Sequence, residues 1–414
     1  MKTEILTHLH DPAKLEKLYR SNKTAFKQTF AALYPELKDD IIVDFWHERL
    51  NYESDEINWG TRKELTFVVI IALLAGFIAK LPHFFAINEE FFYPRNIGFI
   101  VFPAISAYFA WKNNLSMAKV NFIIATSLAG LLFINFLPDV KKSDTLILSC
   151  IHLLLFLWSI LGFAFVGSMK QGDEKRLEYL KYNGDVVVMT TLILISGGIM
   201  SGITVGLFNL IGLNIGEFYF RNVGIFGLAA APIAGTYLTQ TNPHLVGKVS
   251  PLIARIFSPL VLVMLVTYLV AMIWSGKDPY NDREFLMIFN SLLIGVMAII
   301  FFSVAETTRS EKNQAEIWVL FLLSVVTIVV NGIALSAILF RISEFGITPN
   351  RTAILGGNLL ILLNLILVTR QLFRALSKRS ELREVGRAIA FCLPIYFVWT
   401  IIVTFLFPIF FGFK

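Results

Sequence analysis

The sequence predicts an all-α fold, a polytopic transmembrane helical bundle of about eleven spans preceded by a small cytosolic helical segment. Three observations carry this. Of 414 residues, 56% are hydrophobic and only 16% charged, where an ordinary globular domain carries about a quarter charged. From about residue 64 onward, apolar runs near the ~20-residue length of a bilayer crossing follow one another with short polar breaks. The first sixty residues are instead polar, with apolar residues at helical spacing. The expected division is therefore 1–60, an amphipathic helical segment, and 61–414, the transmembrane domain.

In the leading segment, Asp11 and Pro12 form a helix start, an N-cap followed by proline in the first turn. Leu15, Leu18 and Tyr19 give that helix a short apolar face. Ser21 is placed to cap a second helix carrying Phe26, Phe30 and Leu33, which Pro35 ends while opening a third. Along the third, Leu37, Ile41, Phe45 and Leu50 line one side with Trp46 beside them, and Lys38, Asp39, Asp40, Asp44 and Glu48 fill the other. The aromatic face is either the core of a small bundle or a docking surface for a cytosolic protein. About sixty residues is a marginal size for independent stability. Met1 opens a polar stretch, so no cleavable signal peptide is expected, and the run from residue 64 is read as an uncleaved insertion signal.

The expected spans are 64–84, 96–111, 120–137, 145–168, 185–213, 223–240, 251–274, 285–307, 317–340, 353–373 and 389–411. With the amino terminus inside, the inner breaks, among them Lys170 to Lys181 and Arg370 to Arg387, hold twice as many Lys and Arg as the outer ones. This orients the chain with its amino terminus cytosolic and its carboxyl terminus outside. The net charge of +6 is spread over the loops that flank spans, which argues against nucleic acid as a partner and for membrane lipids. Cys150 and Cys392 fall inside apolar runs and read as packing residues.

A short repeat lies within the spans. Phe92-Tyr93-Pro94-Arg95-Asn96-Ile97-Gly98 precedes the second span, and Phe218-Tyr219-Phe220-Arg221-Asn222-Val223-Gly224 the sixth. Pro103 and Tyr108 are echoed by Pro232 and Tyr237, and Pro349-Asn350-Arg351 holds the same slot before the tenth span. Units of four, four and three spans follow, running in parallel because each full unit is even-numbered.

Little in the spans suggests reaction chemistry. His152 is the one clear mid-span ionisable group, read as a histidine bonded to a neighbouring helix. Asn209, Asn290, Asn331, Asn358 and Asn364 either line a solute path or bond between helices. Gly198, Gly202 and Gly206 repeat every four residues as a helix-packing face, and Gly356-Gly357 either packs or permits a bend. Arg95, Arg221 and Arg351 lie on the outer side, each at the start of a helix. With Asn96, Asn222, Arg341 and Glu344 they are candidate sites for an anion or lipid headgroup. The alternative is pairing with Glu89, Glu90, Glu217 and Glu344. No catalytic, cofactor-binding or metal constellation is read, and no cofactor is expected. A membrane-embedded transferase would need a carboxylate or histidine cluster, which leans against an enzyme.

The stretch Arg341-Ile342-Ser343-Glu344-Phe345-Gly346-Ile347-Thr348-Pro349-Asn350-Arg351, followed by a glycine-containing span and a basic stretch, resembles a bacterial multi-pass membrane family known as domain of unknown function four-one-five-three. Leu18-Tyr19-Arg20 and Phe45-Trp46 through Arg49-Leu50 look like leaders of Bacteroidetes-type members. The resemblance implies a bacterial cytoplasmic-membrane protein and brings no reaction. The function expected is transporter-like or lipid- or anion-handling. The alternative is a non-transporting scaffold or signalling subunit that holds a partner through residues 1–60 and the basic inner loops.

Overall fold

The computed structural model describes residues 2–21, 23–37, 40–51, 59–140, 143–167, 172–210, 214–243, 314–377 and 382–413, with scattered residues between 258 and 304. Every regular element among them is helical. The chain forms two compact units, Met1–Asn58 and Trp59–Lys414.

The first unit contains α1 (Lys2–Thr7), α2 (Pro12–Ser21), α3 (Lys23–Leu37) and α4 (Ile41–Asn51). The Asp11 carboxylate accepts from the Lys14 amide at 3.1 Å, as an N-cap does. Ser21 is not a cap; its hydroxyl donates back to the Leu18 carbonyl. Helix α3 runs past Pro35 to Leu37. Leu15, Phe26, Phe30 and Leu33 are buried together with Val43, Trp46 and Leu50. The expected stripe on α4 is therefore turned: Ile41 is 85% and Phe45 61% exposed, while Val43 and Trp46 fill the core.

The second unit begins with α5 (Arg62–Ala79), short α6 (Leu81–Phe85), α7 (Glu89–Lys112), α8 (Met117–Phe136), α9 (Asp144–Val166) and α10 (Gly172–Leu210). Short α11 (Gly216–Tyr219) continues through a π-turn, Phe220–Gly224, into α12 (Ile225–Thr241). After the sparsely described stretch come α13 (Gln314–Phe345), α14 (Pro349–Leu376) and α15 (Leu382–Ile401). A second π-turn, Ile402–Leu406, leads from α15 into α16 (Phe407–Phe410). Among the described residues, seven helical stretches are long and apolar enough to cross a membrane, namely 117–136, 144–166, 172–202, 216–241, 314–345, 349–376 and 382–410. This is a multi-pass membrane protein by composition and architecture. Much of the spans expected at 251–274 and 285–307 lies outside the described residues.

Helix directions follow from pairs of contacts. Tyr108 at the end of α7 donates to Glu64 at the start of α5, at 2.7 Å. Tyr237 at the end of α12 donates to the Trp59 carbonyl. Asn96 near the start of α7 meets Asn135 near the end of α8. Phe321 and Phe373 bring the start of α13 to the end of α14, and Glu174 of α10 pairs with Arg383 of α15. At the other end, Ser143 donates to the Phe413 carbonyl. Helices α5, α8, α10, α13 and α15 thus run one way, α7, α9, α12 and α14 the other, and Trp59 and Phe413 lie at opposite ends of this unit.

Glycines allow close crossings where they face another helix. A Cβ on Gly235 would stand 2.5 Å from the Thr190 hydroxyl and 3.3 Å from its backbone nitrogen, so α12 and α10 approach only because it is absent. Gly356 packs on Trp399 in the same way. Gly198 and Gly202 do not: they are exposed, and no described residue comes within 4 Å of a Cβ built there. The surroundings of Gly206 lie outside what is described.

Candidate functional site

Two regions concern function: the helix ends that carry the arginines, and a cleft inside the bundle.

Arg95 sits in the second turn of α7 with its side chain 3% exposed. Its Nη2 reaches Asp139 at 3.3 Å, its guanidinium lies 4.0 Å from the Phe91 ring centre, and its Nε has no partner. The partner is thus Asp139 rather than Glu89 or Glu90. Asn96 and Asn135 exchange side-chain hydrogen bonds at 2.9 and 2.8 Å. Arg221 is exposed and pairs with Glu217 at 3.3 Å. Asn222 donates to the Phe218 carbonyl at 2.7 Å and accepts from buried Lys80. Arg351 donates to the carbonyls of Phe345 and Gly346, at 2.8 and 2.6 Å, where α13 ends. Arg341 and Glu344 belong to α13 rather than to a loop, so the connector to α14 is only Gly346 to Thr348. Arg341 is half-buried with Nη1 unpartnered, and Glu344 is exposed. The three arginines have separate partners, and no hydrogen bond or ion pair joins one to another.

The cleft is built from α9, α10, α14, α15 and helical residues 293–301. Its volume is about 670 Å³, and its walls are almost wholly apolar. No charged residue lines it among the described residues. Its few polar groups come from several helices: His152, Trp158 and Ser159 on α9, Asn183 on α10, Asn358 on α14, Tyr396 and Thr400 on α15, and Asn290.

Most of these polar groups are committed to the protein. The Trp158 indole donates to Asn183 at 2.9 Å, and the Asn358 amide to Asn290 at 2.7 Å. The Asn358 carbonyl in turn receives the Asn331 amide at 3.2 Å. Tyr396 donates to the Leu360 carbonyl at 3.3 Å and accepts from Asn364 at 3.2 Å. These bonds use the amide N–H groups that the apolar surroundings would otherwise penalise, while the Oδ1 atoms of Asn331 and Asn364 are buried without a partner among the described residues. His152 differs from expectation, since its Nδ1 bonds the Leu148 carbonyl of its own helix, at 2.9 Å, rather than a neighbouring helix. A carbonyl only accepts, so Nδ1 carries the proton and Nε2 is left without a partner among the described residues.

Asn290, Asn331, Asn358 and Asn364 thus bond between elements, and of the four Asn290 and Asn358 also line the cavity; the side chain of Asn209 lies outside the described residues. Trp158, Asn183 and Tyr396 carried no sequence signal, because they belong to no local motif. Asp185, placed by the sequence at a span edge, is buried thirteen residues inside α10.

No family model, curated protein or solved structure matches the chain.

Proposed function

We propose that this chain is a lipid-handling protein of the bacterial cytoplasmic membrane that admits a hydrocarbon chain into the cleft between α9, α10, α14 and α15. The observation that carries this is a cavity of about 670 Å³ with apolar walls and, among the described residues, no lining charge. Ligand cavities occupy about 300–1,000 Å³. A hydrocarbon chain needs no counter-charge, whereas an ion entering there would meet none. Lining residues Leu155, Val187 and Ile294 are also exposed, which gives a chain in the surrounding bilayer a lateral way in.

The finer architecture belongs to the same proposal: eleven spans, with 251–274 and 285–307 as a hairpin between α12 and α13, and the amino terminus cytosolic. Helix α12 ends, and α13 begins, at the end of the unit where α5 starts, which supports an even number of crossings between them. The parallel repeat is supported by Asn96 and Asn222, each bonded to the carbonyl four residues back, and by Tyr93 and Tyr219, each hydrogen-bonded to the nearest preceding long helix, at Ala79 of α5 and Ser201 of α10. Membership in the family named above is part of the proposal and rests on the 341–351 motif.

Gly357 lines the cleft, and a Cβ built on it meets nothing within 4 Å. Gly357→Phe should therefore fill the cleft at little cost to the fold. Cross-linking of a photoreactive fatty-acyl probe, mapped by peptide mass spectrometry, is expected on α9 and α14 of the wild type and to fall about tenfold in the variant. Equal labelling of the two would end the proposal. The scaffold reading is favoured by one observation, the exposed Ile41 and Phe45 one turn apart on α4. It predicts a co-purifying protein that Phe45→Ser releases.

A further inference from the structure

We propose that the lipid in the cleft carries a phosphate head group and that Arg176 holds it; this names the ligand class for the lipid-handling reading and rests on it. The cleft does not stop at Trp158. A second cavity of about 200 Å³ shares Trp158, Ser159 and Leu393 with the first, so the two volumes meet along the same wall. The second is lined by apolar and aromatic side chains and by Arg176. Among the described residues, Arg176 is the single charged side chain on either cavity.

Its position matches the ends of an amphiphile. Leu148 lines the far end of the combined cleft and Val166 the near end. They are eighteen residues apart on α9, or about 27 Å at the helical rise, against about 30 Å for the hydrocarbon core of a bilayer. Arg176, in the second turn of α10, therefore stands at one boundary of the apolar region, with the chain-binding walls leading away from it. Tyr179 lines the second cavity, its hydroxyl donating to the Trp158 carbonyl at 2.6 Å.

The guanidinium is available. Among the described residues its one ion pair is Nη1 to Asp173, at 3.4 Å, the long edge of a hydrogen bond, and its side chain is 25% exposed. Five N–H donors less one weakly used leave a fork that fits two phosphate oxygens. Asp173 competes for that fork and sets the affinity lower than a free arginine would. Inorganic phosphate offers the same oxygens without the chain, so the chain must be what distinguishes the two ligands.

The test uses the purified full-length protein in a non-ionic detergent, with its thermal midpoint followed against added dioleoyl phosphatidate, dioleoylglycerol or inorganic phosphate. In the wild type, phosphatidate is expected to half-saturate at least about tenfold below dioleoylglycerol, the worth of one charge-assisted contact, and inorganic phosphate to have no effect. Arg176→Gln should bring phosphatidate to the level of dioleoylglycerol and leave dioleoylglycerol unchanged. Asp173→Asn should tighten phosphatidate alone, a gain that a misfolded variant would not give. Equal response of the wild type to the two lipids overturns the head-group assignment and leaves the hydrocarbon cleft standing. No response to either lipid overturns the lipid-handling reading itself. Stabilisation by inorganic phosphate that Arg176→Gln removes would assign a free-anion site and overturn the lipid.

Discussion

At Asn96 and Asn135, each amide is the other's donor and acceptor, at 2.9 and 2.8 Å, between two apolar helices. Interhelical bonds of this kind contribute about 0.6–1.7 kcal/mol in membrane proteins. Asn96→Ala and Asn135→Ala should each lower the unfolding midpoint, with the double variant losing much less than the sum; strictly additive losses in that cycle would show that the pair is not coupled. Beside them, Arg95 is buried while Asp139 is 72% exposed. Removing the acid strands a buried cation, whereas removing the cation leaves a carboxylate already in water. Arg95→Met should thus stay near wild-type stability and Asp139→Ala should lose more, and the reverse order in thermal unfolding would contradict the burial argument. The Arg-Asn motif drew attention to Arg95 and Asn96 from the sequence, but Asn135 and Asp139 have no local pattern. Their roles come from the packing of α7 against the end of α8, which a linear reading does not contain.

Helices were legible where apolar runs are long, and their ends were not. The apolar runs of α9, α13 and α14 announce themselves. Helix α10, by contrast, starts at Gly172, well before its apolar run, because the charged turn from Asp173 onward is helical too. That extension is what carries Arg176 to the cleft and Asp185 into the interior. In α4, Ile41-Ile42-Val43 and Phe45-Trp46 offer two apolar faces a fraction of a turn apart, and periodicity alone cannot choose between them. The bundle chooses by size: Trp46 packs edge-on or tilted against Tyr19, Phe26 and Phe30, with ring centres 5.3 to 6.5 Å apart. Trp46→Ala should cost about 3–5 kcal/mol, and Phe45→Ala should stay within about 0.5 kcal/mol, read as hydrogen-exchange protection across residues 12–51 of the full chain. Loss of protection in Phe45→Ala alone would restore the face expected from the sequence. The amide of Lys14 holds the Asp11 carboxyl below its ordinary value. A depressed folded-state pKa gives stability that is present above the unfolded value and lost as pH falls through the folded one. Protection of α2 should therefore weaken only below about pH 4, and Asp11→Asn should remove that dependence.

For the whole molecule, geometry and charge give independent constraints on topology. Contacts between helix ends place Ser116, before α8, and Ser377, after α14, at the end of the unit where α5 begins. They place Asn88, before α7, and Ser343, in the last turn of α13, at the opposite end. The excess of Lys and Arg follows the first set, as the retention of positive charge in the cytosol requires. Cys150 and Cys392 are unpaired and can be replaced by Ala to give a background without thiols. Single cysteines at the four positions should then separate cleanly. In intact cells an impermeant maleimide should label positions 88 and 343 and leave 116 and 377 unlabelled until lysis. Complete inversion of this pattern would overturn the orientation argued from charge while keeping the helix directions. Division within either set would mean that the directions themselves are wrong, and with them the hairpin inferred between α12 and α13. That hairpin matters for function, because residues 293–301 form one wall of the cleft. The proposed lipid site therefore depends on the same topology that the labelling tests.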